Sequence, residues 1–171
     1  RQILESKGVK IAAHISSIGN VSDSSFSPTE IDDALIEKLN NSSFAIIDET
    51  AEKPMRDAVE DVRMAQDSIG GTIECCVTGI DAGYGEPMFE GVEGVIAKAV
   101  FGVPAIKGIE FGKGFELSTM RGSQSNDPFE YKDGKVVTTT NNCGGILGGI
   151  TNGMPIIFRA AVKPTPSISQ P

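Results

Sequence analysis

Two stretches near the C-terminal end of the 171-residue chain carry residue types suited to holding a ligand. The first, Asn141-Asn142-Cys143-Gly144-Gly145-Ile146-Leu147-Gly148-Gly149-Ile150, places four glycines within six positions. Without a Cβ, each lets another group approach the main chain, and each costs about 0.5–1 kcal/mol in conformational entropy once ordered. Tight backbone packing or a ligand against the main chain can offset that cost, and residue types alone leave both open. The second stretch is Lys163-Pro164-Thr165-Pro166-Ser167-Ile168. It offers an ammonium and two hydroxyls on a proline-stiffened loop. That set suits an anion such as a phosphate monoester. A solvent-facing lysine ahead of a proline-rich linker is the other reading.

Other chemistries find less support. His14 is the single histidine, and no Ser, Cys or Asp arrangement near it marks a catalytic pair, so a structural role is expected. One histidine and scattered cysteines do not make a zinc site, and no metal is expected. Gly108-Ile109-Glu110-Phe111-Gly112-Lys113 is one residue too short for a phosphate loop, and Gly112-Lys113-Gly114 lacks the third glycine of a dinucleotide fingerprint. The acidic pairs Asp32-Asp33 and Glu60-Asp61 have basic neighbours and read as solvated helix faces. The polar run at 121–127 suits either a loop that closes over a ligand or subunit, or a mobile loop.

A net charge of −8 argues against a nucleic-acid surface, which needs a basic face to release counterions. A few placed basic groups can still hold an anionic ligand. No apolar run reaches the ~18–20 residues of a membrane span. Cys75, Cys76 and Cys143 are odd in number and not in ligand spacing, so they read as reduced core residues of a cytoplasmic protein. At 39% hydrophobic residues the chain suits one domain over 1–171.

The elements that must position these groups follow from periodicity. Residues 9–15 read as a half-buried strand. Ser27-Pro28-Thr29-Glu30 reads as a capping box opening a helix with Ile31, Leu35 and Leu39 on its apolar stripe. Residues 44–47 suggest a short extended piece. A helix over 54–66 presents Met55, Ala58, Val59, Val62 and Ala65. Residues 72–80 read as a strand with Glu74 facing out. A helix over 92–101, a strand over 106–111, a hairpin turning at Asp133-Gly134 and a last strand over 154–162 complete the series. The hairpin and short links favour antiparallel pairing, hence an α+β fold.

Several of these stretches also come in a telling order. Asp67-Ser68-Ile69-Gly70-Gly71 is followed by Ala82-Gly83-Tyr84-Gly85-Glu86-Pro87, then Ala105-Ile106-Lys107-Gly108-Ile109-Glu110-Phe111-Gly112 and Gly114-Phe115. Arg121-Gly122-Ser123-Gln124-Ser125-Asn126-Asp127, the glycine block and the lysine-proline loop complete the order. This order resembles the chorismate synthase family throughout the chain. The resemblance implies an α+β sandwich, antiparallel sheets enclosing a helical layer. It implies reduced FMN as cofactor, 5-enolpyruvylshikimate 3-phosphate as substrate and a homotetrameric assembly. It further implies that Pro104, Ala105, Gly148, Lys163, Pro164, Thr165, Pro166 and Ser167 line the flavin site, with backbone contacts at the two variable prolines, Pro104 and Pro166. The family's Gly-Glu-Ser-His-Gly stretch, second histidine, arginine cluster and late Arg-His-Asp-Pro stretch have no counterpart here, so the chain is expected to be an internal core without catalytic residues, inactive alone. A non-catalytic assembly or ligand-binding scaffold is the alternative. The paired glycines and the lysine loop are expected to form one wall of the flavin pocket.

Overall fold

The structure, a computed structural model, describes residues 2–170. A short helix α1 (Gln2–Glu5) leads into β1 (Lys10–Ile18) and β2 (Val21–Ser22), followed by α2 (Asp33–Asn41) and α3 (Glu52–Met64). Next come β3 (Gly71–Thr78), α4 (Val92–Phe101), β4 (Ile106–Phe111) and α5 (Gly122–Ser125). Strands β5 (Phe129–Lys132), β6 (Lys135–Thr138), β7 (Ile146–Leu147), β8 (Ile150–Thr151) and β9 (Ile156–Val162) finish the series. Five strands form one antiparallel sheet in the order β2-β1-β3-β9-β4. Because β9 is antiparallel to both β3 and β4, those two run parallel, joined by α4, with β9 inserted between them.

Strand alternation gives the sheet two different faces. Register places Ala12, Cys76 and Ile157 in one row and His14, Glu74, Arg159 and Glu110 in the next. Helix α2 covers the first of these rows with Ile36 and Leu39, joined by Phe26. The opposite face carries Cys75, Val77, Ile156, Phe158, Ile109 and Phe111, packed under Val92, Ile96 and Val100 of α4. Helix α3 packs onto Ile15 and Ile18 through Met55, which is fully buried. Cys75 and Cys76 therefore enter different clusters, as neighbours on a strand must.

The structure corrects four sequence expectations. Helix α2 begins at Asp33, not near Ser27: Asp32 caps it by accepting from the Ala34 N–H at 3.0 Å. A carboxylate oxygen at the N-cap competes well with a serine hydroxyl, and the Pro28 carbonyl is already taken by Asn141 Nδ2 at 2.7 Å. The buried stripe is accordingly Ile36 and Leu39, with Ile31 and Leu35 only partly covered. Residues 44–47 form no strand, although the Ala45 carbonyl accepts from Ile15 N–H at 2.8 Å beside β1. Glu74 does not face out; it is 3% exposed. Its carboxylate accepts from Phe26 N–H at 2.8 Å and meets His14 Nε2 at 3.0 Å. The hairpin forms as expected, with Asp133 and Gly134 at φ +51° and +80°, the pair of positive angles that a two-residue turn between twisted strands requires.

Candidate ligand site

The lysine-proline loop leaves the end of β9 and is held from both sides. On one side, Lys163 N–H donates to the Ala105 carbonyl at 2.9 Å, which ties it to the turn between α4 and β4. Ala105 sits there at φ +70°, left-handed backbone that a non-glycine residue adopts only where its surroundings hold it. Pro104, Ala105 and Lys163 are thus neighbours in space. On the other side, Ser68 Oγ donates to the Thr165 carbonyl at 2.6 Å. Lys163 Nζ bonds the Pro164 carbonyl at 2.8 Å and, among the described residues, meets no carboxylate. The hydroxyls of Thr165 and Ser167 have no partner among those residues either. One cation and two idle hydroxyls on a fixed turn are a donor set an anion can use.

Beside the linker that holds this loop lies an open groove of about 500 Å³ between α3 and the sheet, lined by Ser68, Gly70 and Val162 but by none of residues 163–167. Ile15, Ile18, Val59, Val62, Ile73 and Val162 line most of it. Ser17, Arg63, Asp67 and Thr72 add polar groups to this apolar lining, the usual make-up of a small-molecule site.

The glycine block stands elsewhere. Strands β7 and β8 make a two-residue hairpin turning at Gly148-Gly149. Three of the four glycines are used by chain packing. A Cβ on Gly144 would lie 2.7 Å from the Ile157 carbonyl oxygen, on Gly145 2.5 Å from that of Pro155, and on Gly149 2.5 Å from that of Glu86. Gly148, at φ +61°, has nothing within 4 Å of the same position. The Gly149 carbonyl accepts from Val92 N–H at 2.9 Å, so this turn sits at the N-terminal end of α4. Pro104-Ala105 lies just beyond the other end of α4, roughly 15 Å away at 1.5 Å per helical residue. Gly148 and Lys163 therefore lie toward opposite ends of β9, and the grooves on either side of the sheet are lined by neither of them. The single shared wall expected from the sequence is not formed within this chain, because β9 separates its parts.

His14 is where a structural reading puts it. It is 1% exposed, with Nδ1 2.9 Å from Asp23 Oδ2 and Nε2 3.0 Å from Glu74 Oε2. Both ring nitrogens are committed, so the imidazole has none left for a substrate. Sequence reasoning missed a second knot. Asp127 accepts from Thr140 Oγ1 at 2.7 Å and from the N–H groups of Asn142 and Cys143 at 2.6 and 2.9 Å. Asn141 bridges the Pro28 and Pro155 carbonyls and accepts from Gly145 N–H at 2.6 Å. Asn142 Nδ2 reaches the last carbonyls of α5. The 121–127 run thus folds into a helical turn clamped to the glycine block.

The profile of the family described as Chorismate synthase matches residues 1–171. The chain belongs to the chorismate synthase family. A chorismate synthase from Thermococcus kodakarensis is 47% identical over the full 171 residues, which cover 46% of that relative. One from Methanosarcina mazei is 44% identical over 98% of this chain and 45% of its own length. A solved "Crystal Structure of Chorismate Synthase" superposes with a TM-score of 0.88 at 31% identity, covering 97% of this chain and 52% of that one. The α+β arrangement is therefore that of the family, and the chain spans about half the length of the curated chorismate synthases it matches.

Proposed function

We propose that this chain supplies the flavin-holding core of an enzyme that converts 5-enolpyruvylshikimate 3-phosphate to chorismate and phosphate. Family membership supports the reaction class, a carbon–oxygen lyase of aromatic amino acid biosynthesis. The observation that carries the site is Lys163, which meets no carboxylate among the described residues, with the idle hydroxyls of Thr165 and Ser167 on a loop tied to Ala105. Those residues fit the phosphate and polar edge of FMN, with the backbone of Pro164 and Pro166 shaping the turn. Bound reduced flavin would lend electron density as the substrate phosphate departs and recover it afterwards. Lys163 would neutralise negative charge on the bound group through a charge-assisted hydrogen bond. Gly148 is a separate bare-backbone contact about one helix length away.

A cytoplasmic homotetramer belongs to the same reading. No helix among the described residues is long and apolar enough to cross a membrane, and the three thiols are free. The 171 residues alone are proposed to give no turnover, since their one histidine is locked between two carboxylates. Chorismate formation by the purified chain with reduced FMN would overturn that. Titration with FMN tests the site: saturable binding that weakens at least tenfold in Lys163→Ala supports it, and unchanged affinity removes it.

The scaffold reading draws on one observation. Helix α4, which packs on the sheet through Val92, Ile96 and Val100, leaves Val95 and Phe101 each 50% exposed. Large apolar side chains left in water on one element offer a contact surface. Self-association without flavin uptake would favour this reading.

A further inference from the structure

We infer that the linker between α3 and β3 positions the 163–167 loop, with Ser68 as its positioning residue and Gly70 as the gap the loop fits into. The inference rests on the reading of that loop as an anion-binding element and assigns what holds it in shape. Pro164 and Pro166 have no N–H, so two of the loop's five residues cannot anchor it by donating. An outside donor is needed, and Ser68 Oγ provides it by bonding the Thr165 carbonyl at 2.6 Å. Because Ser68 takes the main chain, the Thr165 side chain stays available. The linker also receives the segment beyond the loop: Gln66 accepts from Ser169 N–H at 3.3 Å, and Ala65 accepts from Gln170 Nε2 at 2.5 Å. Gly70 lies under the loop's start, where an added Cβ would stand 2.6 Å from the Val162 carbonyl oxygen and 3.0 Å from Pro164 Cδ. Its φ is not in the left-handed region, so glycine is required there by space alone.

Amide hydrogen exchange of the 171-residue chain, with FMN titration in parallel, tests this on Ser68→Ala, Ser68→Thr, Gly70→Ala and Lys163→Ala. Ser68→Ala should speed exchange at Ile168 and Ser169 about fivefold, the worth of one ordinary hydrogen bond, while the amides of β1 and β3 stay as they are. It should also weaken FMN binding about fivefold without moving Tm, and Ser68→Thr should restore both. Gly70→Ala should speed the same amides by pushing the loop outward; if it fails to fold, the two Ser68 variants decide. Unchanged exchange in Ser68→Ala overturns the inference whatever happens to FMN. So does Lys163→Ala weakening FMN while Ser68→Ala binds it as the parent does. Absence of saturable FMN binding, or its indifference to Lys163→Ala, overturns the flavin reading instead, and exchange alone then judges the clamp.

Discussion

At the scale of single residues, His14 shows how a lone histidine can be spent entirely on structure. Its ring sits edge-on to Phe26 at 4.9 Å between centroids and between two carboxylates from β3 and the loop after β2. Asp23 is further held by the N–H groups of Ser24, Ile47 and Asp48. His14→Ala would leave both carboxylates buried without that partner, and a loss of about 3 kcal/mol is expected from urea unfolding. A loss within 0.5 kcal/mol would mean that solvent or relaxation replaces the ring. The cysteines follow the same logic of burial. Desolvation pushes the Cys75 and Cys76 thiols up to about 11, and it raises Cys143 with help from Asp127. Thiolate is the reactive form, so labelling by a disulfide reagent at pH 8 should be slow until the chain is unfolded. A thiol whose folded value exceeds its unfolded value of 9.0 stabilises the fold below pH 9, and that contribution is lost as pH climbs towards 11. Alkaline titration of stability should show the decline in that window, and Cys76→Ala should reduce it.

At the scale of elements, the start of α2 is decided by Asp32. Asp32→Ala should cost about 1 kcal/mol by thermal unfolding, the worth of an N-cap, while Ser27→Ala should stay within about 0.5 kcal/mol. Equal effects would restore the capping box at Ser27. The β7–β8 turn offers a second contrast. A methyl on Gly149 would be driven into the Glu86 carbonyl, whereas Gly148 faces open space and suffers only its left-handed φ. Gly149→Ala should therefore destabilise the chain more than Gly148→Ala, and the difference can be read from their urea midpoints. Gly148 is the one member of the quartet left free to meet something outside this chain.

At the scale of the whole molecule, large apolar side chains stand exposed in two groups. Val95, Phe101 and Val103 around α4, and Phe129, Tyr131 and Val136 on the β5–β6 ribbon, are each at least half exposed. Patches of this kind mark surfaces that normally meet another surface. Sedimentation should show self-association that rises with concentration, together with binding of an apolar dye. A strict monomer that binds no dye would show that these side chains are tolerated in water.

Residue order alone determined the family, the strand-helix alternation and the lysine-proline loop, because short-range periodicity and turn chemistry are written locally. Helix α4 and strand β4 could be bounded to the residue, since apolar spacing and flanking glycine or proline act over a few positions. What only the tertiary structure decided are the choices made by distant partners. Glu74 turned inward because His14 lies across the strand pair, α2 shifted its start because Asn141 claimed the Pro28 carbonyl, and 121–127 became a clamped turn because Asp127 and Asn142 meet. The separation of Gly148 from Lys163 belongs to the same class. The fourteen residues between them include all of β9, which at about 3.3 Å per residue carries the loop away from the glycine turn.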